Sequence, residues 1–176
     1  MSGTQDRLRK ALEEQHERVK AQLQLVQDTH GEARAAAFLE LRRFLAAHET
    51  VEQAVMHPTV RDETRAAQLV EQRVAEEGEA TSAIEALEQF DVDSDDFSDR
   101  FASLAQDVVA HAEAEEHVEL PAFLARAEDG EMATVLRALG EVDSVAAGLG
   151  GGVGGTPGFA GMLQQAKAYL ETHPVS

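Results

Sequence analysis

The sequence predicts an all-α protein: an up-down-up-down four-helix bundle with short extra helices at its C-terminus. Three features predict it. The chain is rich in Ala, Leu, Glu, Gln and Arg and shows no strand-like alternation. Four long stretches carry apolar residues at helical spacing. Turn-forming residues separate those stretches. Segments of about 20–29 residues would each be roughly 30–43 Å long, and short connections between them are the ingredients of an antiparallel bundle. At 176 residues the chain can bury a sizeable core.

The first helix is expected over residues 5–29, with Leu8, Leu12, Val19, Leu23 and Val26 on one face and Gly31 as a stop signal. A second is expected over 32–56, its stripe carried by Ala37, Leu41, Phe44 and Val55. Pro58 ends it, because proline lacks an N–H and disfavours helix in the residue before it. Thr59 and Asp62 open a third helix over 61–89. The run Asp91-Val92-Asp93-Ser94-Asp95-Asp96 breaks the pattern and supplies a cap for a fourth, over 97–118. Beyond it, residues 121–127 and 131–139 read as short helices broken by Asp129-Gly130 and Gly140. A glycine-rich linker, 148–155, leads to a final helix over 158–172. That helix places Phe159, Met162, Leu163, Ala166 and Leu170 on one face, suited to pack on the bundle or on a second copy. The expected division is a bundle over 1–125 and a C-terminal unit over 126–176.

Charged residues make up 27% and hydrophobic residues 43%, ordinary for a globular protein. The net charge of −18 argues against nucleic acid or an anionic membrane as partner. There is no cysteine, which fits a cytoplasmic location and leaves His, Asp and Glu as metal ligands, a set that suits iron, manganese or zinc. No stretch approaches the roughly 20 apolar residues of a membrane span, and Met1-Ser2-Gly3-Thr4-Gln5-Asp6 lacks the regions of a signal peptide. Gly150, Gly152 and Gly155 match G-x-G-x-x-G, but no strand precedes them, so a dinucleotide site is rejected.

The chemistry is carried by a repeated skeleton. His111 is followed by Glu115 and, ten residues on, by Pro121; His48 is followed by Glu52 and, ten residues on, by Pro58. Turning each residue by about 100° puts His48 and Glu52 in the arc of Leu41, Phe44 and Val55. His111 and Glu115 share an arc with Phe97, Leu104, Val108 and Val118. His16 falls among Leu12, Val19 and Leu23, and Glu77 among Val70, Val74, Ala80 and Ile84. Each helix thus buries a ligand-type side chain. A buried carboxylate without a partner costs several kcal/mol or neutralises, so this set calls for a cation. The bland alternative for any one histidine is a hydrogen-bonded core residue. His48-Glu49-Thr50-Val51-Glu52 departs from H-E-x-x-H at its last residue, which rejects a zinc protease.

His111-x-x-x-Glu115-Glu116 with Leu120-Pro121, His48-x-x-x-Glu52, and Glu14-Gln15-His16-Glu17-Arg18-Val19 resemble the hemerythrin-like, HHE cation-binding domains over about residues 5–125. The resemblance implies two non-haem irons, oxo- or hydroxo-bridged, reacting with O2, NO or peroxide; zinc or manganese are the lesser alternatives. It makes His16, His48 and His111 terminal ligands and Glu52 and Glu115 bridges. The family's third helix supplies a histidine that this chain lacks. The corresponding stretch is Glu76-Glu77-Gly78-Glu79-Ala80, with the family histidine falling at Gly78 or one place either side. Glu77 as a replacement ligand, a position open to water or substrate, and one weakly held metal all stay open. Asp107 is a candidate acceptor for a ligand histidine or an exposed salt-bridge partner. His57 is a helix-end residue or a supporting one, His30 belongs to the end of the first helix, and His117 and His173 are exposed. Two other functions compete: a diiron oxidoreductase acting on an organic substrate, and a metal-depleted interaction module. A homodimer is also open.

Overall fold

Leu8, Leu12, His16, Val19, Leu23 and Val26 form one buried stripe along α1, Gly3–Asp28, and the rest of the molecule is arranged around that stripe. The computed structural model describes residues 3–56, 64–150 and 156–173, the side chains of 64–70 excepted. His57, Pro58, Thr59, Asp62, the side chain of Val70 and the linker glycines Gly151, Gly152, Gly154 and Gly155 lie outside the described residues. The fold is all-α, with no strand among the described residues.

Chain reversal after α1 depends on Gly31, whose φ of +56° is a left-handed conformation that favours glycine. Its N–H donates to Asp93 Oδ1 at 2.9 Å, which ties this turn to the start of α4. His30 belongs to the same turn, at the N-cap of α2 rather than on α1 as expected, and its side chain is exposed. Helix α2, Gly31–Val55, buries Ala37, Leu41, Phe44, His48 and Glu52. Helix α3 covers Thr64–Leu87. Ser94 caps α4, Asp95–Ala114, by accepting from the Phe97 N–H at 3.1 Å. At this end Phe38 meets Phe97 and Phe101 edge-on, with ring centroids 5.2 and 6.0 Å apart.

Helix α4 does not stop near residue 118. It widens into a π-turn, Glu115–Glu119, in which the Leu120 N–H bonds to Glu115 O, then resumes as α5, Leu120–Leu124. Pro121 supplies the reason: inside a regular α-helix it removes a donor and clashes with the carbonyl four residues back. A wider i→i+5 turn just upstream relieves both. The consequence is a change of face. Val118, expected to join the arc of His111, is 49% exposed, whereas Glu119 and Leu120 are 0% exposed.

Helix α6, Asp129–Gly148, runs unbroken through Gly140, where a short helix over 131–139 was expected to end. Its capping box uses Glu128 and Glu131, and Val135, Leu139, Val142 and Val145 bury one continuous stripe. That stripe outweighs the roughly 1 kcal/mol that an interior glycine costs. Helix α6 packs on α1 and α2, and α7, Phe159–Thr172, packs on α2 and α3. Phe159, Met162 and Ala166 face inward as expected, with Leu163 and Leu170 partly buried. Glu88 fastens α7 by accepting from the Phe159 N–H at 2.8 Å while pairing with Arg42. No helix is long and apolar enough to cross a membrane among the described residues.

Candidate metal centre

Three helices bring the expected histidines together. His16 on α1 and His48 on α2 meet edge to face, with centroids 5.1 Å apart, and His48 stacks on Phe44. His111 comes from α4. In each ring Nδ1 is held by a side-chain oxygen: His16 by Glu116 at 2.7 Å, His48 by Gln15 at 2.8 Å and His111 by Glu76 at 3.0 Å. An acceptor at Nδ1 fixes the proton there and leaves the Nε2 lone pair for another partner.

Every Nε2 faces a carboxylate. His48 Nε2 lies 3.4 Å from Glu52 Oε1, His16 Nε2 3.3 Å from Glu115 Oε2, and His111 Nε2 3.1 Å from Glu115 Oε1. The Nε2 atoms of His16 and His111 and all four oxygens of Glu52 and Glu115 are buried with no well-aligned hydrogen bond. Two ligands each about 2.1 Å from one ion, at angles of about 90–110°, stand roughly 3.0–3.4 Å apart. The observed spacings of 3.1–3.4 Å fall in that range. Glu115 presents one oxygen to each of two histidines from different helices, the disposition of a bridging carboxylate.

Without a cation this cluster is costly. Burial, reinforced by Glu115, Glu49, Glu119 and Glu77, pushes Glu52 well above the usual carboxylate range. Burial likewise raises Glu49, Glu77 to about 7, and Glu119 to about 8. Burial next to His16 lowers His48 to about 3. For His111 burial works the other way, but Glu115, Glu49 and Glu76 outweigh it and raise the ring to about 10. Burial would raise Glu115 too, yet His111 and His16 hold it well below the usual range. The donor set therefore fits a metal: carboxylates and imidazoles converge, and the orphaned atoms are those an ion would take up.

Of the adjacent α3 positions Glu77 and Gly78, only the first faces the cluster. Glu77 points inward and is 6% exposed, while Gly78 is exposed and a Cβ added there would meet nothing within 4 Å. The inward face of α3 is Arg73, Glu77, Ala80, Ile84 and Leu87; Val74, expected on it, is 41% exposed. Gln53 donates to Glu77. Ligand atoms of Glu49, Glu77 and His111 lie within 4.8 Å of one another, as do those of His16, His48, Glu52 and Glu115. A cleft of about 330 Å³ between α3 and α4 reaches the first of these groups, walled by Ala80, Ala83, Leu104 and Val108.

All six expected side chains thus meet in one region: His16, His48, Glu52, Glu77, His111 and Glu115. Asp107 does not orient His111; it is exposed at the cleft, and Glu76, anchored by Arg73 at 2.8 Å, takes that place. His117 is exposed and bonds to Glu113 O, and His173 is also exposed. Glu49, Glu76, Glu116, Gln15 and Glu119 were missed. Glu119 had a visible signal, the four-residue step beyond Glu115. The others are next-door neighbours of inward residues, and a helix-face projection alone ranks such positions as peripheral.

A family model for the hemerythrin HHE cation binding domain matches residues 7–123. No curated protein and no solved structure gave a match. The matched span takes in α1 to α5 and every side chain of the cluster. The chain belongs to the hemerythrin HHE cation-binding domain family.

Proposed function

We propose that the protein is a non-haem diiron protein that binds, senses or reacts with O2, NO or peroxide. The observation that carries this reading is Glu115: fully buried, with one oxygen 3.3 Å from His16 Nε2 and the other 3.1 Å from His111 Nε2. His16 and His48 with Glu52 would hold one iron; His111 with Glu49 and Glu77 would hold the other; Glu115 would span them. When bound, a reduced iron pair would supply electrons and Lewis acidity to a small oxidant or NO.

The chain's own residues supply the rest. Glu116, Gln15 and Glu76 keep each Nδ1 protonated and aim each Nε2 inward. Phe44, itself covered by the Arg18 guanidinium at 4.2 Å, shields the His16–His48 side from water. The cleft between α3 and α4 gives a small ligand its approach to His111. The net charge of −18 supports a small-molecule ligand over nucleic acid or an anionic membrane.

Protein purified from iron-supplemented cells is expected to carry close to two irons per chain, with near-ultraviolet charge-transfer absorption that changes on exposure to O2, NO or peroxide. His48→Ala and His111→Ala should each lose iron while remaining helical. Absence of bound iron after anaerobic reconstitution would refute the reading. A second reading, oxidation of an organic substrate, is favoured by the cleft volume, about 330 Å³, which is far more than a diatomic ligand needs. Metal-dependent turnover of such a substrate distinguishes it.

A further inference from the structure

We propose that the two halves of the centre are chemically unequal, the half formed by Glu49, Glu77 and His111 being a harder, exchangeable site that discriminates less against Mn2+ and Fe2+ than the half formed by His16 and His48. The inference rests on the dinuclear reading above and adds a metal preference to it.

The donors differ first in kind. His16 and His48 give their half two imidazole nitrogens beside Glu52 and Glu115. The other half has one nitrogen, from His111, and the carboxylates of Glu49 and Glu77, with Glu115 Oε1 3.1 Å from His111 Nε2. Imidazole donors suit the later first-row metals, whereas carboxylate oxygens suit Mn2+ and its neighbours. Replacing nitrogen by anionic oxygen therefore flattens the usual rise in affinity from manganese to copper.

The halves also differ in access. His16, His48, Glu52 and Glu115 are all within 3% of full burial. Glu49, Glu77 and His111 line the cleft between α3 and α4, so an ion there can leave without opening the bundle. Glu115 is the independent sign that this is a metal position and not an acidic patch. Its carboxylate is 0% exposed and has no aligned hydrogen bond, and it turns Oε1 toward the His111 side. Helix α3 builds this half from two directions. It supplies Glu77 directly, and Glu76, gripped by both terminal nitrogens of Arg73 at 2.8 and 2.9 Å, fixes the His111 ring through Nδ1.

The test is a titration of the metal-free full chain with Mn2+ and with Co2+, followed by calorimetry, metal content after gel filtration and the electron paramagnetic resonance of Mn2+. Two equivalents are expected, the second at least about tenfold weaker. Loading from an equimolar mixture should give the second position a clearly larger share of Mn2+ than the first. Glu77→Gln and Glu49→Gln should weaken the second equivalent by about tenfold or more and leave the first unchanged. Glu77→His should keep both equivalents and shift the second toward Co2+ by about tenfold, a gain that a folding defect cannot mimic. Two equivalents of equal affinity with the same share of Mn2+, Glu→Gln variants that bind as the parent does, a single equivalent indifferent to Glu77→Gln, or a Glu77→His variant without altered preference would each overturn the inference while leaving metal binding intact. Failure of the parent chain to bind any metal would instead sink the dinuclear reading and this one with it.

Discussion

Glu119 offers the sharpest test of the electrostatics of the metal-free cluster. It sits on the π-turn with no solvent exposure, and burial, then Glu115 and Glu77, raise its carboxyl from 4.5 to about 8. The folded state therefore holds this proton more tightly than the unfolded chain does. A raised folded value contributes stability that is complete below the unfolded value and is lost as pH rises through the folded one. At about 1.4 kcal/mol per pKa unit, the full loss approaches 5 kcal/mol, and about 3 kcal/mol of it falls between about pH 5.5 and pH 9. Glutamine mimics the neutral acid and cannot ionise. Metal-free parent protein and Glu119→Gln should then have similar stability near pH 5.5, and the parent should lose about 3 kcal/mol more on the way to about pH 9. For a chain of this size that is roughly 6–12 °C in Tm. Denaturant unfolding of chelator-treated protein across this range is the assay. Parallel pH profiles for the two proteins would refute the reasoning. Bound metal should shrink the difference, since a nearby cation favours the ionised carboxylate.

Other outcomes follow from single contacts. Glu76→Gln leaves the ligands in place but weakens the charge behind His111 Nδ1, which it contacts at 3.0 Å; chelator competition should show metal affinity falling about 10- to 100-fold. Gly78→Ala should stabilise the chain by up to about 1 kcal/mol, because the site is helical and open to a Cβ, with metal content unchanged. A thermal scan and metal analysis check both parts. Gly31→Ala should destabilise by about 1–2 kcal/mol in denaturant unfolding, because its φ of +56° disfavours any Cβ and its turn is pinned to Asp93.

The sequence showed the candidate ligands more clearly than their setting, and the reason is geometric. His16, His48, Glu52, Glu77, His111 and Glu115 each share a helix face with leucine, valine, isoleucine or phenylalanine, so the 100° projection finds them. Gln15 and Glu116 adjoin an inward residue in sequence and reach the site by side-chain length, which no periodicity records. Glu49 is half-buried beside His48 for the same reason. Val118 and Glu119 exchanged places because the projection assumes a regular α-helix and Pro121 had already made that impossible; the proline was visible, but its effect is felt upstream of itself. Gly140 misled in the opposite sense. Its local cost of roughly 1 kcal/mol is small against the stripe Val135, Leu139, Val142 and Val145, which exists only once α6 has α1 and α2 to pack on.

What marks these histidines as candidate ligands is the division of labour between their two nitrogens. A core histidine kept for stability is satisfied when both nitrogens find complementary partners, and a neutral ring can donate from only one. In this cluster the donating role is already taken at Nδ1 by Glu116, Gln15 and Glu76. Each Nε2 is thereby an acceptor, yet it faces a carboxylate oxygen, which is also an acceptor when ionised. Protonating an imidazole relieves one such contact, as the raised value of His111 shows, but His48 is driven the other way, to about 3. A neutral Glu52 carboxyl can donate to His48 Nε2, so protons relieve the metal-free set only by driving Glu52, His48 and His111 far from their ordinary values. Divalent cations between nitrogen and oxygen would satisfy these acceptors, and they would make the carboxylates of Glu49, Glu52, Glu77, Glu115 and Glu119 tolerable in one region.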